Sequence, residues 1–475
     1  MPAERLTRTV AAPKSGIVHL GLGAFYRAHG AIYTADAIAK SGGDWGIIGV
    51  SLQSPTMRDA LTPQGGTYMA VTLGPEDIPP QHIQIVNQVL VAREDPQAVL
   101  EAMTDPTIRI VSLTVTEKGY CHDPSTGELN LDHPDIQHDI SQPLPRSAPG
   151  YLVRALQARH AAGIAPFTVQ SCDNLPDNGR VVRGVVLALA QQIDPDLAAW
   201  ITQAGRFPSS MVDRIVPATK PEDLTYVADL TGYQDAAPVL HEPFRQWVIE
   251  DDFVAGARPD WEAAGAQMVG DITAYEHMKL RMLNGTHSAL AYLGYLTGHE
   301  TISDAMADAR VAAFVEQLWQ TEIAPTLTPP DGVSLCQYAE ALASRYANPR
   351  IRHLTWQIAM DGSQKLPQRI LGTVQDALTA GHPCPGLVLA VAAWMRYVGG
   401  IDENGHVIDV RDPLAARLKT LSDGVDTPVG KVTALLSVRE VFSAEQAAGL
   451  SAPVTQAYQR LVEIGARDSI KEVLA

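Results

Sequence analysis

The first half of the chain alternates short runs of β-branched residues with amphipathic stretches. Four of these runs predict buried strands, at residues 16–23, 45–52, 108–117 and 165–174. Helical patterns lie between several of them, most clearly at 150–163. This alternation predicts an α/β fold with a parallel, doubly wound sheet, which binds ligands at the carboxyl ends of its strands. Residues 72–95 predict a smaller antiparallel element.

The second half of the chain, from about residue 271 onward, is predicted to be mostly helical. Apolar residues recur there at helical spacing, and Gly or Pro stands at the ends of the segments. These segments are 305–324, 332–347, 366–381, 386–400 and 412–424. The sequence therefore predicts two domains, an α/β domain over 1–270 and a mostly α-helical domain over 271–475.

Charge and composition narrow the possible function classes. The 36 Lys and Arg residues against 53 Asp and Glu give a formal net charge of −17, which disfavours binding to nucleic acid or to anionic membranes. The four cysteines are scattered without CxxC spacing, and the first residues contain no apolar leader. No apolar run reaches the roughly 18 residues that span a bilayer. We therefore expect a cytoplasmic protein with reduced thiols.

A glycine pair, Gly21 and Gly23, directly follows the first predicted strand. Glycines at such a turn let the backbone approach a pyrophosphate at the N-terminus of the next helix. The third glycine of the GxGxxG pattern is missing, because Tyr26 takes its place, and an ordinary tight turn explains the pair equally well. Arg27 and His29 either face phosphates or cap the turn.

The usual reader of the adenosine ribose, an acid at the end of the second strand, is also missing. That strand ends VSLQSPTMRD, where the first acid is Asp59, and Arg58 beside it could pair with a 2′-phosphate. The residues alone therefore leave both NAD and NADP open as cofactors.

The most informative segment, EHMKLRMLNGTH, spans residues 276–287. In an α-helix, an arc of about 140° would contain its four polar residues, Glu276, Lys279, Asn284 and His287. A partly buried lysine beside a carboxylate can serve as a general base, while an amide binds the reacting oxygen. The same spacing also fits a solvated helix face. Gly285 costs about 1 kcal/mol against Ala inside a helix, so a close backbone or ligand approach would explain it.

Two further features concern the chemistry. The triplet CDN ends the fourth predicted strand and puts Asn174 where an open sheet presents ligand contacts, although a side-chain-capped turn fits equally well. The histidines show no HExxH spacing, no cysteine has a partner at zinc-ligand spacing, and no GxSxG occurs. Neither a metal site nor a serine nucleophile is therefore predicted.

The chain resembles the polyol-specific long-chain dehydrogenase family, which contains mannitol 2-dehydrogenases and fructuronate reductases. The resemblance runs nearly from end to end through the motifs IVHLGLGAFYRAH, SLTVTEKGYC, SCDNLPDNG, MVDRIVPAT, EPFRQWVIED, MKLRMLNGTH and DGSQKLPQR. It implies a Rossmann-type dinucleotide-binding domain over 1–270, a helical substrate-binding and catalytic domain over 271–475, and catalysis in the cleft between them. It also implies zinc-independent hydride transfer at C2 of an acyclic sugar acid or polyol.

The family's functional residues carry over onto matching positions of this sequence. Lys279 matches the general acid and base, and Glu276 matches a carboxylate that passes the proton to solvent. The two amides that bind the reacting oxygen match Asn174 and Asn284. Substrate binding is expected at His287, Asp213, Lys365 and Arg281. Cofactor binding is expected at Gly21, Gly23, Phe25, Arg27 and Thr116.

Two departures concern the substrate and the cofactor. Mannitol 2-dehydrogenases of the family can carry an arginine where this chain has Gln357, and an acidic pair where it has Pro55 and Thr56. The segments WQIAMDGSQKLPQR, TEKGYC and KLRMLNG instead resemble the fructuronate reductases. A substrate carboxylate could be received by one or two of five basic residues in or beside the matching motifs, Lys118, Arg245, Arg281, Arg352 and Arg369.

The resemblance therefore implies metal-free interconversion of D-fructuronate and D-mannonate with NAD(H). The alternative is oxidation of D-mannitol to D-fructose, or of a related polyol such as D-arabinitol or D-sorbitol, by the same residues. A catalytically inactive nucleotide-binding protein is a third hypothesis, against which the intact Lys279, Asn284 and His287 argue. We expect a small-molecule substrate, no nucleic-acid or membrane partner, and a monomer.

Overall fold

A five-stranded parallel sheet forms the centre of the first of two compact units, Met1–Thr273 and Ala274–Ala475. The computed structural model describes residues 3–123 and 126–475. From edge to edge the strands are Val86–Val91, Gly46–Ser51, Ser15–Leu20, Ile110–Leu113 and Thr168–Ser171. When the five strands are numbered along the chain, their order across the sheet is 3-2-1-4-5. Successive strands are thus added on one side of the first strand and then on its other side. A doubly wound sheet binds ligands at such a reversal, and the predicted Rossmann-type fold is confirmed.

Helices cover both faces of this sheet, which is why its strands are almost entirely apolar. Val18, Ile47 and Val111 are fully buried. The α-helices are Ala24–Ala28, Gly30–Ser41, Thr56–Leu61, Pro96–Thr104, Pro134–Ser141, Ala148–Ala161, Asn178–Ile193, Pro195–Ala204 and Pro221–Thr231. Short 3₁₀ turns lie at Thr62–Gln64, Glu117–Tyr120 and Val254–Gly256.

Smaller sheets also lie in the described part of the first unit. In one, Tyr68–Thr72 pairs with Val239–His241 on one side and with Gln81–Ile83 on the other. In another, Gln246–Glu250 lies between Ser210–Asp213 and Gln267–Val269. The smallest pairs Glu4–Arg5 with Tyr233–Gln234. The antiparallel element predicted at 72–95 is therefore only partly right. Gln81–Ile83 is antiparallel, but Val86–Val91 is an edge strand of the parallel sheet. Its alternating burial suits an edge strand, and such alternation does not reveal which sheet a strand joins.

The second unit is helical, as predicted. Its central helix, Pro385–Val398, is buried at nearly every position and packs against Thr286–Leu296 and Ala444–Val473. The other α-helices are Thr273–Met278, Ile302–Ala307, Ala309–Gln317, Leu335–Tyr346, Thr355–Ile358, Gly362–Leu366, Gly372–Thr379, Ala415–Asp423 and Pro428–Leu436. Lys279–Gly285, Leu318–Ile323 and Pro367–Leu371 are π-helical, and Ala324–Thr326 is a 3₁₀ turn. No helix among the described residues is long and apolar enough to cross a membrane.

A buried carboxyl group caps the central helix of the second unit. Glu322 is 2% exposed, and its two oxygens accept the backbone N–H groups of Gly386 and Leu387, each at 2.8 Å. These N–H groups have no partner inside the helix, because they belong to its first turn. Burial raises the pKa of Glu322 to about 7, against the opposing effect of the two hydrogen bonds.

Glu322→Gln tests this arrangement through the pH dependence of stability. Because the pKa of Glu322 is raised from 4.5 to about 7 in the folded state, its contribution to stability is full at low pH and is lost as the pH rises through about 7. The quantity to follow is the free energy of unfolding of the wild type minus that of Glu322→Gln. We expect this difference to fall by up to about 3 kcal/mol between about pH 5 and pH 8. Urea unfolding at several pH values measures the difference, and a pH-independent difference would contradict the assignment.

Candidate active site

The turn after Ser15–Leu20 contains two glycines, of which only the first is required by the backbone conformation and packing of the protein. Gly21 has φ +94°, and a Cβ atom there would lie 2.1 Å from the carbonyl oxygen of Thr114. Only glycine fits this position. Gly23 has φ −86°, and the nearest atom to an added Cβ would be the Gly21 carbonyl oxygen at 3.8 Å. The second glycine therefore leaves space at the start of the following helix.

Tyr26, which replaces the third glycine of the pattern, packs into the core of the first unit. Its ring stacks on His19 at a centroid distance of 3.3 Å and lies against Gly30, where a Cβ atom would come within 2.6 Å of it. The ring nitrogens of His19 lie 2.9 Å from the hydroxyls of Ser112 and Thr114. Burial lowers the pKa of His19 to about 3, so the stacked pair is neutral.

The two predicted cofactor residues in the next helix lie in different environments. Arg27 is buried, and its guanidinium donates to the Ala237 carbonyl and lies over the Tyr68 ring. This position favours the structural interpretation of Arg27 over a phosphate contact. Phe25 is half-buried beside His29, which is also buried and lies 2.9 Å from the Gln246 carbonyl through Nε2.

Asp173 connects the loops that follow two neighbouring strands of the parallel sheet. Its carboxylate accepts the N–H groups of Val115 and Thr116, both at 2.9 Å, and the hydroxyl of Tyr120 at 2.7 Å. Thr116 has φ +64° and ψ +165°, a strained conformation for a residue with a side chain. Asp173 holds it there, with Thr116 and Asn174 exposed at the carboxyl ends of the strands. No role is predicted for Asp173 from the sequence, although it stands beside Asn174 in the CDN triplet.

Asp213 ends the strand Ser210–Asp213 and is buried in the first unit. It is paired in register with Gln246, whose carbonyl contacts His29. Burial is the main cause that lowers the pKa of His29 to about 3, so Asp213 stands close to a neutral imidazole.

The predicted catalytic helix is not a continuous α-helix. Residues Thr273–Met278 and Thr286–Leu296 are α-helical, but Lys279–Gly285 between them is π-helical. A π-helical turn closes between residues i and i+5, so Lys279 and Asn284 lie one turn apart. The arc of about 140° that α-helical geometry predicts therefore does not apply. The spacing alone could not reveal this change, because the π turn is set by contacts with distant residues.

Side chains from elsewhere in the second unit stabilise the π-helical segment. The indole N–H of Trp319 donates to the Met282 carbonyl at 2.8 Å, and the hydroxyl of Tyr346 donates to the Leu283 carbonyl at 2.6 Å. The hydroxyl of Thr286 also donates to the Met282 carbonyl. These bonds satisfy carbonyl groups that a widened turn leaves without regular partners.

A close backbone contact explains Gly285, as the sequence predicts. A Cβ atom at this position would lie 2.6 Å from the carbonyl oxygen of Arg369. Arg369 belongs to a second π-helical segment, Pro367–Leu371. The absence of a side chain at Gly285 therefore allows the two π-helical segments to pack backbone to backbone.

Three polar side chains along this helix are buried, namely Lys279 at 7%, Asn284 at 6% and His287 at 7% exposure. Within the described residues, neither Nδ2 of Asn284 nor Nε2 of His287 has a hydrogen-bond partner. Buried polar atoms are rarely left in this state, and at a candidate site they indicate where a ligand binds. Burial and the nearby His353, Arg369, Arg345 and Lys365 hold the pKa of His287 well below its ordinary value. His287 is therefore a neutral hydrogen-bonding group.

The remaining predicted residues of the second unit differ in their surroundings. Glu276 is half-buried, one helical turn before Lys279. Lys365 is half-buried and donates to the carbonyl of Met360 at 2.6 Å. Arg281 forms an ion pair with Asp376 at 2.6 Å, which compensates its charge. No group of three or more His, Cys, Asp or Glu in the described part of the chain is arranged to hold a metal ion.

Comparisons with known proteins cover both units. The family described as the mannitol dehydrogenase Rossmann domain matches residues 15–263, and the mannitol dehydrogenase C-terminal domain matches residues 271–462. A D-mannonate oxidoreductase of Escherichia coli is 48% identical, with 96% of this chain and 95% of the relative covered. A mannitol 2-dehydrogenase of Phaeosphaeria nodorum is 40% identical over 90% of this chain and 76% of the relative. Among solved structures, the chain is similar to the mannitol 2-dehydrogenase of Pseudomonas fluorescens in a ternary complex with NAD and D-mannitol. That protein is 38% identical, the TM-score is 0.88, and the match covers 100% of this chain and 97% of the other.

Gly285→Ala tests the packing of the two π-helical segments. Alanine favours a helix by about 1 kcal/mol over glycine, but overpacking costs about 1–3 kcal/mol, and here the added methyl group meets a backbone carbonyl. We therefore expect Gly285→Ala to lower the Tm in thermal unfolding. Gly372→Ala is the matched control, since its Cβ atom would lie 3.9 Å from the nearest neighbour, and it should keep or raise the Tm. Equal Tm values for the two variants would contradict the packing argument.

Proposed function

Because the chain belongs to the mannitol dehydrogenase family of oxidoreductases, which act on CH–OH groups, we propose that it interconverts D-fructuronate and D-mannonate with NAD(H). In this proposal the first unit binds the dinucleotide, and the second unit binds the substrate and supplies the acid and base. The high identity to the E. coli D-mannonate oxidoreductase over nearly the whole of both chains supports the choice of substrate.

The charge around His287 is the observation that carries this choice. This buried imidazole, with an unpartnered Nε2 in the described structure, lies in the field of three cationic side chains, Arg369, Arg345 and Lys365. Basic side chains close to a binding site favour a ligand with negative charge. A sugar acid carries such a charge and a neutral polyol does not.

The features of the first unit support NAD as the cofactor. The space at Gly23 suits the approach of a pyrophosphate to the following helix. Arg58, the residue that could pair with a 2′-phosphate, donates instead to Asp59 and Glu94. When bound, the nicotinamide ring supplies the hydride for reduction and accepts it in oxidation.

Lys279 acts as the acid and base in this proposal. In reduction its ammonium group donates a proton to the oxygen at C2, and in oxidation the neutral amine takes the proton from the hydroxyl. The amide of Asn284 donates a hydrogen bond to the same oxygen and stabilises its developing charge, and the resemblance gives Asn174 the same role. Half-buried Glu276 exchanges the proton of Lys279 with solvent.

A second candidate function is the oxidation of D-mannitol to D-fructose or of a related polyol. The similarity to the Pseudomonas fluorescens mannitol 2-dehydrogenase over the full chain favours it. Both reactions use the same acid and base, so the two candidates differ only in what the site accepts at the far end of the substrate.

Initial rates with NADH on D-fructuronate and D-fructose distinguish the two candidates. A charge-assisted hydrogen bond adds about 1.5–3 kcal/mol of binding. We therefore expect kcat/KM for fructuronate to exceed that for fructose by at least about tenfold. A preference for fructose would contradict the first proposal and favour the second.

Lys279→Met tests the acid and base while keeping the length of the side chain. We expect kcat to fall by about 10²–10⁴-fold, the usual contribution of a general acid or base. NADH binding, followed by fluorescence, should be retained because Lys279 has no proposed contact with the cofactor. A kcat within tenfold of the wild-type value, with the fold intact by circular dichroism, would reject this role for Lys279.

A further inference from the structure

His353 lies beside His287 in the second unit, although no role is predicted for it from the sequence. The two imidazole rings meet edge to face, with a centroid distance of 4.7 Å and an interplanar angle of 62°. Lys365, a second residue expected at the substrate, acts electrostatically on both rings. His353 therefore belongs to the same cluster as two residues that the family resemblance places at the substrate.

Each of the two rings has a nitrogen without a hydrogen-bond partner among the described residues. In His287 this atom is Nε2, in His353 it is Nδ1, and both atoms are buried. Such atoms are rare in folded proteins unless a ligand or an ordered water completes the hydrogen bond. Two of them on adjacent rings indicate a ligand with several hydrogen-bonding groups.

Both rings are neutral near pH 7. Burial, with a smaller contribution from Lys365, lowers the pKa of His353 to about 4. Burial also holds the pKa of His287 well below its ordinary value. A neutral imidazole nitrogen donates or accepts one hydrogen bond, depending on the tautomer, and carries no charge that would attract a carboxylate. A hydroxyl group, which can also donate or accept, is the matching partner.

The backbone of His353 is fixed close to the helix that carries His287. The His353 carbonyl accepts the N–H of Ile302 at 2.9 Å. The short helix that follows, Thr355–Ile358, packs against Thr286–Leu296. The imidazole of His353 is thus held beside His287 by backbone contacts, and a ligand that binds its Nδ1 atom meets a group that is already oriented.

We propose that His353 is a substrate-binding residue, whose Nδ1 atom forms a hydrogen bond with a hydroxyl group on the carbon chain beside the group that His287 binds. This inference rests on the proposed function for one point, that the substrate binds at His287. D-Fructuronate and D-fructose both carry hydroxyl groups at C3, C4 and C5. His353 therefore selects a polyhydroxylated chain and serves both candidate substrates alike.

The first test measures kcat/KM with NADH for His353→Leu, His353→Asn and His353→Gln, on whichever of the two ketoses the wild type prefers. We expect His353→Leu to lower the value by about 10–100-fold, because a substrate hydroxyl loses its partner in a buried site. The amide of Asn stands as many bonds from Cβ as Nδ1 does, whereas the amide of Gln stands where Nε2 would be. His353→Asn should therefore stay within about threefold of the wild type, while His353→Gln should lose about as much as His353→Leu.

The matched control is His382→Leu, which removes an exposed histidine of the same unit and should leave kcat/KM unchanged. Affinity for NADH, followed by fluorescence, should also be unchanged in the His353 variants.

The second test locates the contact with derivatives of the preferred substrate that lack the hydroxyl at C3, C4 or C5. For the derivative without the hydroxyl that His353 binds, the wild type and His353→Leu should differ by less than about threefold. The other two derivatives should keep the full difference. A purely structural role of His353 would instead lower the rates for all three derivatives by the same factor.

The outcomes separate this inference from the proposed function. Equal losses in His353→Asn and His353→Gln, or equal sensitivity of all three derivatives, overturn the inference alone and make an ordered water the partner of Nδ1. A wild type that prefers fructose overturns the proposed function alone, because the comparison is then made with fructose. A wild type that turns over neither ketose overturns both. If His353→Leu does not fold, the contrast between the Asn and Gln variants decides.

Discussion

The backbone contact between Gly285 and the carbonyl of Arg369 is the constraint on which the site of the second unit depends. It exists only because position 285 has no side chain, and it packs one π-helical segment against another. A π-helical turn is rare because it gives up regular α-helical hydrogen bonding. Here Trp319 and Tyr346 donate to its carbonyl groups from outside the segment. One packing contact thus holds in place the π-helical segment that begins with Lys279, the proposed acid and base.

The parts of the fold that local patterns encode were predictable from the sequence. β-Branched runs bounded by glycines predict the strand Ser15–Leu20 and its neighbours in the parallel sheet, and apolar periodicity predicts the helices of the second unit. The strand Val86–Val91 was assigned to the wrong sheet because half-buried alternation specifies a strand but not its partner. Short strands such as Ser210–Asp213 carry too few residues for a pattern, and pairing with a distant strand stabilises them.

The residues of the candidate site could be predicted only where they lie in a motif that the family shares. Lys279 and Asn284 followed from the resemblance, but their relation through a π-helical turn did not, since it depends on Trp319. Arg281 was expected at the substrate, yet its ion pair joins it to Asp376, 95 residues away. Arg27 likewise donates to a carbonyl 210 residues away. A sequence pattern gives the chemistry that a side chain can perform, whereas such distant partners determine whether it is available.

Among the described residues, Nδ2 of Asn284 and Nε2 of His287 have no hydrogen-bond partner, and this has an energetic consequence. A buried donor or acceptor without a partner costs about 1–3 kcal/mol in the folded state. Ordinary packing would remove that cost, for example by rotating the amide toward a carbonyl group, but the π-helical turn is held by three hydrogen bonds and the contact at Gly285. Under the proposed function, this cost is retained until the substrate supplies the missing partners. Because the groups are already oriented, binding recovers this energy without further ordering of the protein.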